Sequence, residues 1–251
     1  MPFWRCCCRR TIATYVGIDG RATAVGSRQP LPKKPEGAVR LVVVSDTHGK
    51  LALADVPPGD VFVHCGDILA RNGKHRCMSG RQLLRSFDRE VARLPHPAKV
   101  VIAGNHDTPI EQLGFDEAQA VLCDATYLEN SGTTLVGGLR VWGCPFSPAS
   151  ASSNSAFQLW TEAERHQHFN AIPAGTHVVV SHGTCRGLDA AVARSGARLH
   201  VFGHFHEQRG VQHSRGVTLV NASTCDHSYR AVKGSTVIDF LVNPGPSPGS
   251  G

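Results

Sequence analysis

Residues 41–48 read Leu41-Val-Val-Val-Ser-Asp-Thr-His48: four apolar residues, three of them β-branched, run straight into an aspartate and a histidine two positions apart. An unbroken apolar run of this length suits a strand covered on both faces rather than one with a wet side. The spacing of Asp46 and His48 would put both side chains on one side of an extended segment. The same succession recurs four times. Residues 61–63 run into His64-Cys65-Gly66-Asp67, and residues 100–103 into Gly104-Asn105-His106-Asp107. Residues 178–180 are followed by Ser181-His182-Gly183, and residues 199–202 by Gly203-His204-Phe205-His206. In open α/β sheets ligands bind just beyond the carboxyl ends of the strands, so five segments spread along the chain are expected to converge on one place.

Further apolar runs at residues 217–220 and 237–240 add strands, and helical patterns lie between them. The clearest helix covers residues 80–94. Leu83, Leu84, Phe87, Val91 and Leu94 form its apolar stripe, and Ser79 with Gln82 makes a capping box. A second helix starts after Thr161, with Glu164 closing its box. Residues 126–142 read as two short antiparallel strands turning at Ser131-Gly132 and Gly137-Gly138. The alternation of strands and helices predicts a layered α/β domain over residues 38–242. Residues 1–37, ending in Pro30, Pro32 and Pro35, read as a basic extension, and residues 243–251 as a disordered tail.

Charge follows that division. The chain of 251 residues carries 26 basic and 20 acidic groups, a formal charge of +6. Residues 1–40 hold eight basic groups against Asp19 and Glu36, so the remainder is balanced at 18 of each. A nucleic-acid partner, which a basic chain suggests, is therefore not expected of the neutral body. No apolar run reaches the ~20 residues that span a bilayer. The nine cysteines are odd in number, without a C-x-x-C pair, which argues against a disulfide framework and for a reducing, cytoplasmic setting. The N-terminus, with Cys6-Cys7-Cys8 and no acid up to Gly17, leaves three readings open: a mitochondrial transit peptide, an acylated membrane anchor, or a solvated tail. Nothing in the chain sets an oligomeric state.

The strand-end residues carry the chemistry. Asp46, His48, Asp67, Asn105, His182, His204 and His206 mix carboxylate, amide and imidazole donors, a set that suits Mn, Fe or Zn better than an all-oxygen Ca or Mg site. Seven donors exceed what one tetrahedral ion uses and match two ions sharing a carboxylate. Each alone has a plain alternative: Asn105 a turn residue, His182 a buried core imidazole. Their coincidence at five strand ends outweighs those readings. Gly49, Gly66, Gly104, Gly183 and Gly203 beside them would let the backbone turn and approach closely.

Together Asp46-x-His48, Gly66-Asp67, Gly104-Asn-His-Asp107, Ser181-His182 and Gly203-His-x-His206 resemble the full motif set of the calcineurin-like metallophosphoesterases. The resemblance covers about residues 39–240. It is strongest to the small metallophosphoesterase-domain-containing (MPPED) family, through Val42-Val-Val-Ser-Asp-Thr-His48, Val101-Ile-Ala-Gly-Asn-His106, Arg198-Leu-His-Val-Phe-Gly-His-Phe-His-Glu207 and Val220-Asn-Ala-Ser223. It implies a four-layered α/β/β/α sandwich of two mixed β-sheets flanked by helices, with the site on one edge. It implies two divalent ions, Mn²⁺ first and Fe, Zn or Mg as alternatives. Asp46, His48, Asp67 and His206 would surround one, and Asp67, Asn105, His182 and His204 the other. A metal-bridging hydroxide would attack phosphorus, with His106 as general acid and Asp107 either orienting it or capping the next turn. The expected substrate is a small phosphate ester, with phosphodiesters and cyclic nucleotides first. A phosphomonoesterase, a nucleotide pyrophosphatase and a weakly active nucleotide-binding scaffold stand as alternatives. The chain departs from mammalian relatives by shorter stretches between Asp107 and Thr126 and between Gly183 and Arg198. After Asp67 it continues Ile68-Leu-Ala-Arg71, unlike the D-x-V-D-R-G of Ser/Thr protein phosphatases.

Other features have plainer readings. Arg81, Arg85, Arg89 and Arg93 recur every four residues, as on a solvated helix face. Cys65 is expected to pack beneath the site, His64 to support it or fill the core, and Asn221 to touch substrate or make a turn.

Overall fold

The computed structural model describes residues 11–26, 29–69, 78–149 and 155–243. The expectations for Cys6–Cys8, for Arg71 and for residues 244–251 lie outside them. The strands are β1 (Thr11–Val16), β2 (Ala22–Gly26), β3 (Ala38–Val44), β4 (Val61–Cys65), β5 (Ala98–Ile102), β6 (Thr126–Tyr127), β7 (Ser131–Thr134), β8 (Arg140–Cys144), β9 (Ser147–Pro148), β10 (Gln158–Leu159), β11 (Val178–Ser181), β12 (Leu199–Phe202), β13 (Gly210–Ser214), β14 (Val217–Asn221) and β15 (Ser235–Leu241). The helices are α1 (Gly80–Ala92), α2 (Thr108–Leu113), α3 (Phe115–Val121), α4 (Glu162–Asn170) and α5 (Leu188–Ser195). Both expected capping boxes are formed, Ser79 with Gln82 on α1 and Thr161 with Glu164 on α4.

Two mixed sheets face each other. One runs β2-β1-β15-β3-β4-β5-β6 and the other β13-β14-β12-β11-β8-β7. Strands β3 to β6 are parallel, as are β14, β12, β11 and β8, so their carboxyl ends gather along one edge. The apolar runs are continuous because each strand has two dry faces. Val61, Val63 and Cys65 of β4 join Val178, Val180, Leu199 and Val201 in the core between the sheets. Phe62 points the other way, into a cluster with Leu84, Phe87 and Val91 of α1. Val179 likewise faces outward, towards Phe169 of α4 and Leu188 of α5. The outcome is the α/β/β/α sandwich. An isolated bridge between Ser45 and Ser223 ties the ends of β3 and β14 together at the shared edge.

Three expectations are corrected. Residues 1–37 are not all tail: β1 runs parallel to β15 and antiparallel to β2, widening the first sheet. Ala13 and Val25 are buried there against Val42 and Val237. Part of the basic excess is also neutralised locally, Lys34 by Asp60 and Arg40 by Asp239. The antiparallel pair after residue 126 is β7 with β8, whose connection passes Gly137 and Gly138 at positive φ. Ser131-Gly132 lies inside β7, and Thr126–Tyr127 instead pairs parallel with β5. The arginines of α1 are exposed, as expected of a solvated face, and Arg81 pairs with Glu117.

Candidate metal centre and active site

The residues after β3, β4, β5, β11 and β12 meet at the edge where both sheets end. Asp46, His48 and His206 place one donor atom each within 4.8 Å of one another, and so do Asp46, Asp67 and His182. Asp46 Oδ1 lies 3.4 Å from His206 Nε2, and His48 Nε2 lies 3.5 Å from His206 Nε2. On the other side, Asn105 Oδ1 is 2.9 Å from His182 Nε2 and 3.0 Å from His204 Nδ1. Asp67 sits between: Oδ2 is 3.7 Å from His48 Nε2, and Oδ1 is 3.4 Å from His182 Nε2. All seven expected ligands are thus brought together, in two groups that share the Asp67 carboxylate.

The chain reaches this arrangement against its conformational preference. Of nine non-glycine residues at positive φ among the described residues, four are Asp46, His48, Asp67 and His204. Such geometry costs about 1–3 kcal/mol per residue and persists where surrounding contacts over-determine it. Those contacts are visible. Asp46 N donates to Gly66 O, and His48 N to Asp67 O, each at 3.0 Å. Ser223 Oγ donates to Asp46 Oδ2 at 2.7 Å, and His204 N donates to the same carboxylate. His182 Nδ1 faces Cys65 O and His206 Nδ1 faces Asp226 O, each at 2.9 Å. An N–H donated to a carbonyl leaves Nε2 as the lone-pair nitrogen, which is how supporting groups usually orient metal-binding histidines.

Close approach explains Gly203. A Cβ there would collide with Ser45 Oγ and Asp46 Oδ2, both buried and fixed. Gly203→Ala is therefore expected to cost about 1–3 kcal/mol by overpacking and to lower the melting temperature by roughly 2–10 °C. Metal content should fall with it. A thermal melt with elemental analysis checks this; an unchanged melting temperature with full metal content would contradict it.

Several neighbours do different work from that expected. Asp107 does not cap α2 through its side chain. Its carboxylate accepts from Ile68 N, Leu69 N and Gly104 N at 2.8–3.1 Å, locking the Asp67 turn to the Asn105 turn. Three backbone amides donate to it, so it shapes the site. Burial, then the Asp67 charge, raises it to about 7. Of the two readings of Asn221, a substrate contact or a turn, the hydrogen bonds show the turn. Its buried amide donates to Phe205 O and accepts from Ser223 N, shaping the loop that carries His204 and His206. Cys65 is buried under the site, and His64 Nε2 is 2.8 Å from Thr47 Oγ1 in the core beside it. His106 Nε2 lies 3.8 Å from Asp67 Oδ2, within the group that contains His48. His106 and His206, with 9% and 12% of their side chains exposed, face the open side, while Asp46, His48, Asp67 and His182 are at or below 2%. Ser223 and Tyr229 were not singled out for roles in the sequence. The run Val220–Ser223 pointed to the first, and no local pattern marks the second.

The donor set fits divalent cations. Burial would raise Asp46, but His206 and His182 reverse that and bring it to about 2. Asp67 is driven far below the ordinary carboxylate range in the same way, by His182, His48 and His106. Both carboxylates are ionised at neutral pH. His182, which burial alone would lower, is raised to about 9 by Asp67 and Asp46. In the metal-free protein its pairing with Asp67 stabilises the fold fully below pH 6.5 and is lost as pH rises through 9. A cation at Nε2 must displace that proton. Mn²⁺ uptake at pH 7.5 is expected to release at least about one proton per chain, seen as a dependence of calorimetric heat on the buffer's ionisation enthalpy. Heats independent of buffer would contradict it.

An α/β sandwich with buried carboxylates and imidazoles paired at its strand ends defines a candidate divalent-metal site. The comparisons with known proteins agree with that class. Residues 39–208 match the family model described as calcineurin-like phosphoesterase. The human metallophosphoesterase domain-containing protein 1 is 30% identical over 246 residues, covering 82% of this chain and 72% of that protein. A UPF0046 protein of Caenorhabditis elegans is 30% identical over 233 residues, covering 81% and 76%. Among solved structures, the phosphopantetheinyl hydrolase of Mycobacterium tuberculosis superposes with TM-score 0.50 at 18% identity, covering 85% of this chain and all of that one. The chain belongs to the calcineurin-like phosphoesterase family, which implies a phosphoester hydrolase that uses divalent metals. No helix among the described residues is long and apolar enough to cross a membrane.

Proposed function

We propose that the protein is a dinuclear phosphodiesterase acting on small phosphate esters, with cyclic nucleotides the first candidates. The observation that carries this reading is Asp67, whose two oxygens face different donor groups across one buried carboxylate. Asp46, His48 and His206 with Asp67 hold one divalent cation, and Asp67, Asn105, His182 and His204 the other. Such a mixed nitrogen and oxygen set suits Mn²⁺, Fe²⁺ or Zn²⁺, and Mn²⁺ is the first candidate. Two such ions supply neutralisation of the phosphoryl oxygens and a water acidic enough to lose its proton near neutral pH. Asp67, fixed by the His106 N–H at 2.8 Å, keeps the two cation positions in register. His106 Nε2, on the open side, donates a proton to the leaving oxygen.

The substrate follows from the charge. The formally neutral body gains +4 at one edge when both ions are bound, which attracts a phosphate group without a basic groove. A panel of cyclic nucleotides, dinucleotides and phosphomonoesters with Mn²⁺ tests the reading. Preferred turnover of cyclic nucleotides or other diesters is expected. Preference for monoesters or pyrophosphates would replace the diesterase assignment, and tight nucleotide binding without turnover would favour a scaffold.

A further inference from the structure

The loop after β14 holds a residue that the hydrolytic chemistry leaves unused. Tyr229 lies beside three imidazoles at once. Its ring centroid is 4.8 Å from His48, 5.3 Å from His206 and 5.7 Å from His106, each edge to face. The ring is half-buried and stands on the side where His106 and His206 are exposed, above the more deeply buried His48.

The loop is built to keep it there. Tyr229 has φ +59°, a conformation that bulky residues avoid. The Asp226 carboxylate accepts from Ser228 N and Arg230 N at 2.9 Å and pairs with the Arg230 guanidinium. Tyr229 N donates to Asp226 O at 2.8 Å, and Lys50 Nζ donates to Tyr229 O. Thr224 Oγ1 and N both donate to Ser45 O, anchoring the loop one residue from Asp46. The same Asp226 carbonyl receives His206 Nδ1. One hydrogen-bonded loop therefore orients His206 and places an aromatic ring against three of the site's imidazoles.

We propose that Tyr229 determines which ester group the site accepts: its ring is the wall against which a planar aryl or nucleobase substituent packs, in preference to a small alkyl group. The proposal rests on the phosphoesterase reading for where the phosphoryl group sits. With phosphorus between the two donor groups and the leaving oxygen towards His106, an ester substituent extends past the His106 and His206 rings and meets Tyr229. Edge-to-face or offset aromatic pairs gain beyond their buried area, and an alkyl group cannot make that contact.

The test is calorimetric binding of phenylphosphonate and methylphosphonate to the full-length, Mn²⁺-loaded protein and to Tyr229→Leu and Tyr229→Phe. Wild type should prefer the phenyl compound by about three- to tenfold. Tyr229→Leu should lose that preference with methylphosphonate affinity unchanged, and Tyr229→Phe should keep it. An undiminished preference in the leucine variant overturns the proposal. So does equal weakening of both phosphonates, which would make the ring a mere support for the histidines, or loss in the phenylalanine variant, which would assign the effect to the hydroxyl. Turnover of bis-p-nitrophenyl phosphate by the same wild-type sample separates the two claims. Absent turnover with the expected phosphonate preference refutes the esterase reading and leaves Tyr229 assigned. Turnover without the preference does the reverse, and absent turnover together with binding of neither phosphonate refutes both.

Discussion

Asp67→Ala is expected to strip both cations and to lower turnover by at least about 10³-fold, since shared metals supply several kcal/mol of transition-state stabilisation. The reason is position. The two oxygens of the Asp67 carboxylate face His48 on one side and His182 on the other, and its far-lowered pKa reflects how strongly the surrounding imidazoles favour its charge. Removing it also leaves the buried His182 without its first electrostatic partner. Breaking a buried pair in this way costs about 3–5 kcal/mol, so the alanine variant should melt well below wild type. Asp67→Asn keeps the shape and an acceptor for the His106 N–H, and separates the two effects. It should stay folded yet hold fewer than two ions by elemental analysis. Two ions per chain in a folded Asp67→Asn protein would refute the bridging role.

His106→Ala is expected to keep both ions and to lose about 10²–10⁴-fold in turnover, the usual worth of a positioned general acid. The loss should be largest for esters with poor leaving groups and smallest for p-nitrophenyl esters, whose leaving group needs little protonation. The structure makes the experiment sharper than the sequence did, because His106 Nε2 lies in one donor group with His48 and Asp67. A ligand and a proton donor differ in what their loss does to the metal. If His106→Ala retains one ion, with equal rate losses on good and poor leaving groups, the residue is a ligand and the acid assignment fails.

The site was legible in the sequence because strand period and donor chemistry coincide at five points. An apolar run ending in a donor reports both where a strand ends and what its end carries, and parallel pairing does the rest. Asp46, His48, Asp67, Asn105, His182, His204 and His206 converge for that reason. What stayed hidden depends on partners distant in sequence. Thr11–Val16 mixes polar and apolar residues without a clear period; it pairs with the nearby β2, and it joins the sheet through Ser235–Ile238, more than 200 residues away. Asp107 looked like a cap or an aid to His106. Its three amide donors come partly from the loop after β4, a contact with no local signature. Asn221 and Tyr229 reverse one another: the residue that looked poised for substrate is spent on backbone, and a loop tyrosine without any pattern covers the imidazoles.

The central claim is that this edge of the sandwich hydrolyses phosphoesters with two shared cations. The most direct test is turnover of bis-p-nitrophenyl phosphate by metal-stripped protein as Mn²⁺ is added back. No turnover is expected without metal, activity should rise until two ions are bound per chain, and a chelator should abolish it. Full occupancy by two ions with no hydrolysis, or undiminished hydrolysis in the stripped protein, would contradict it.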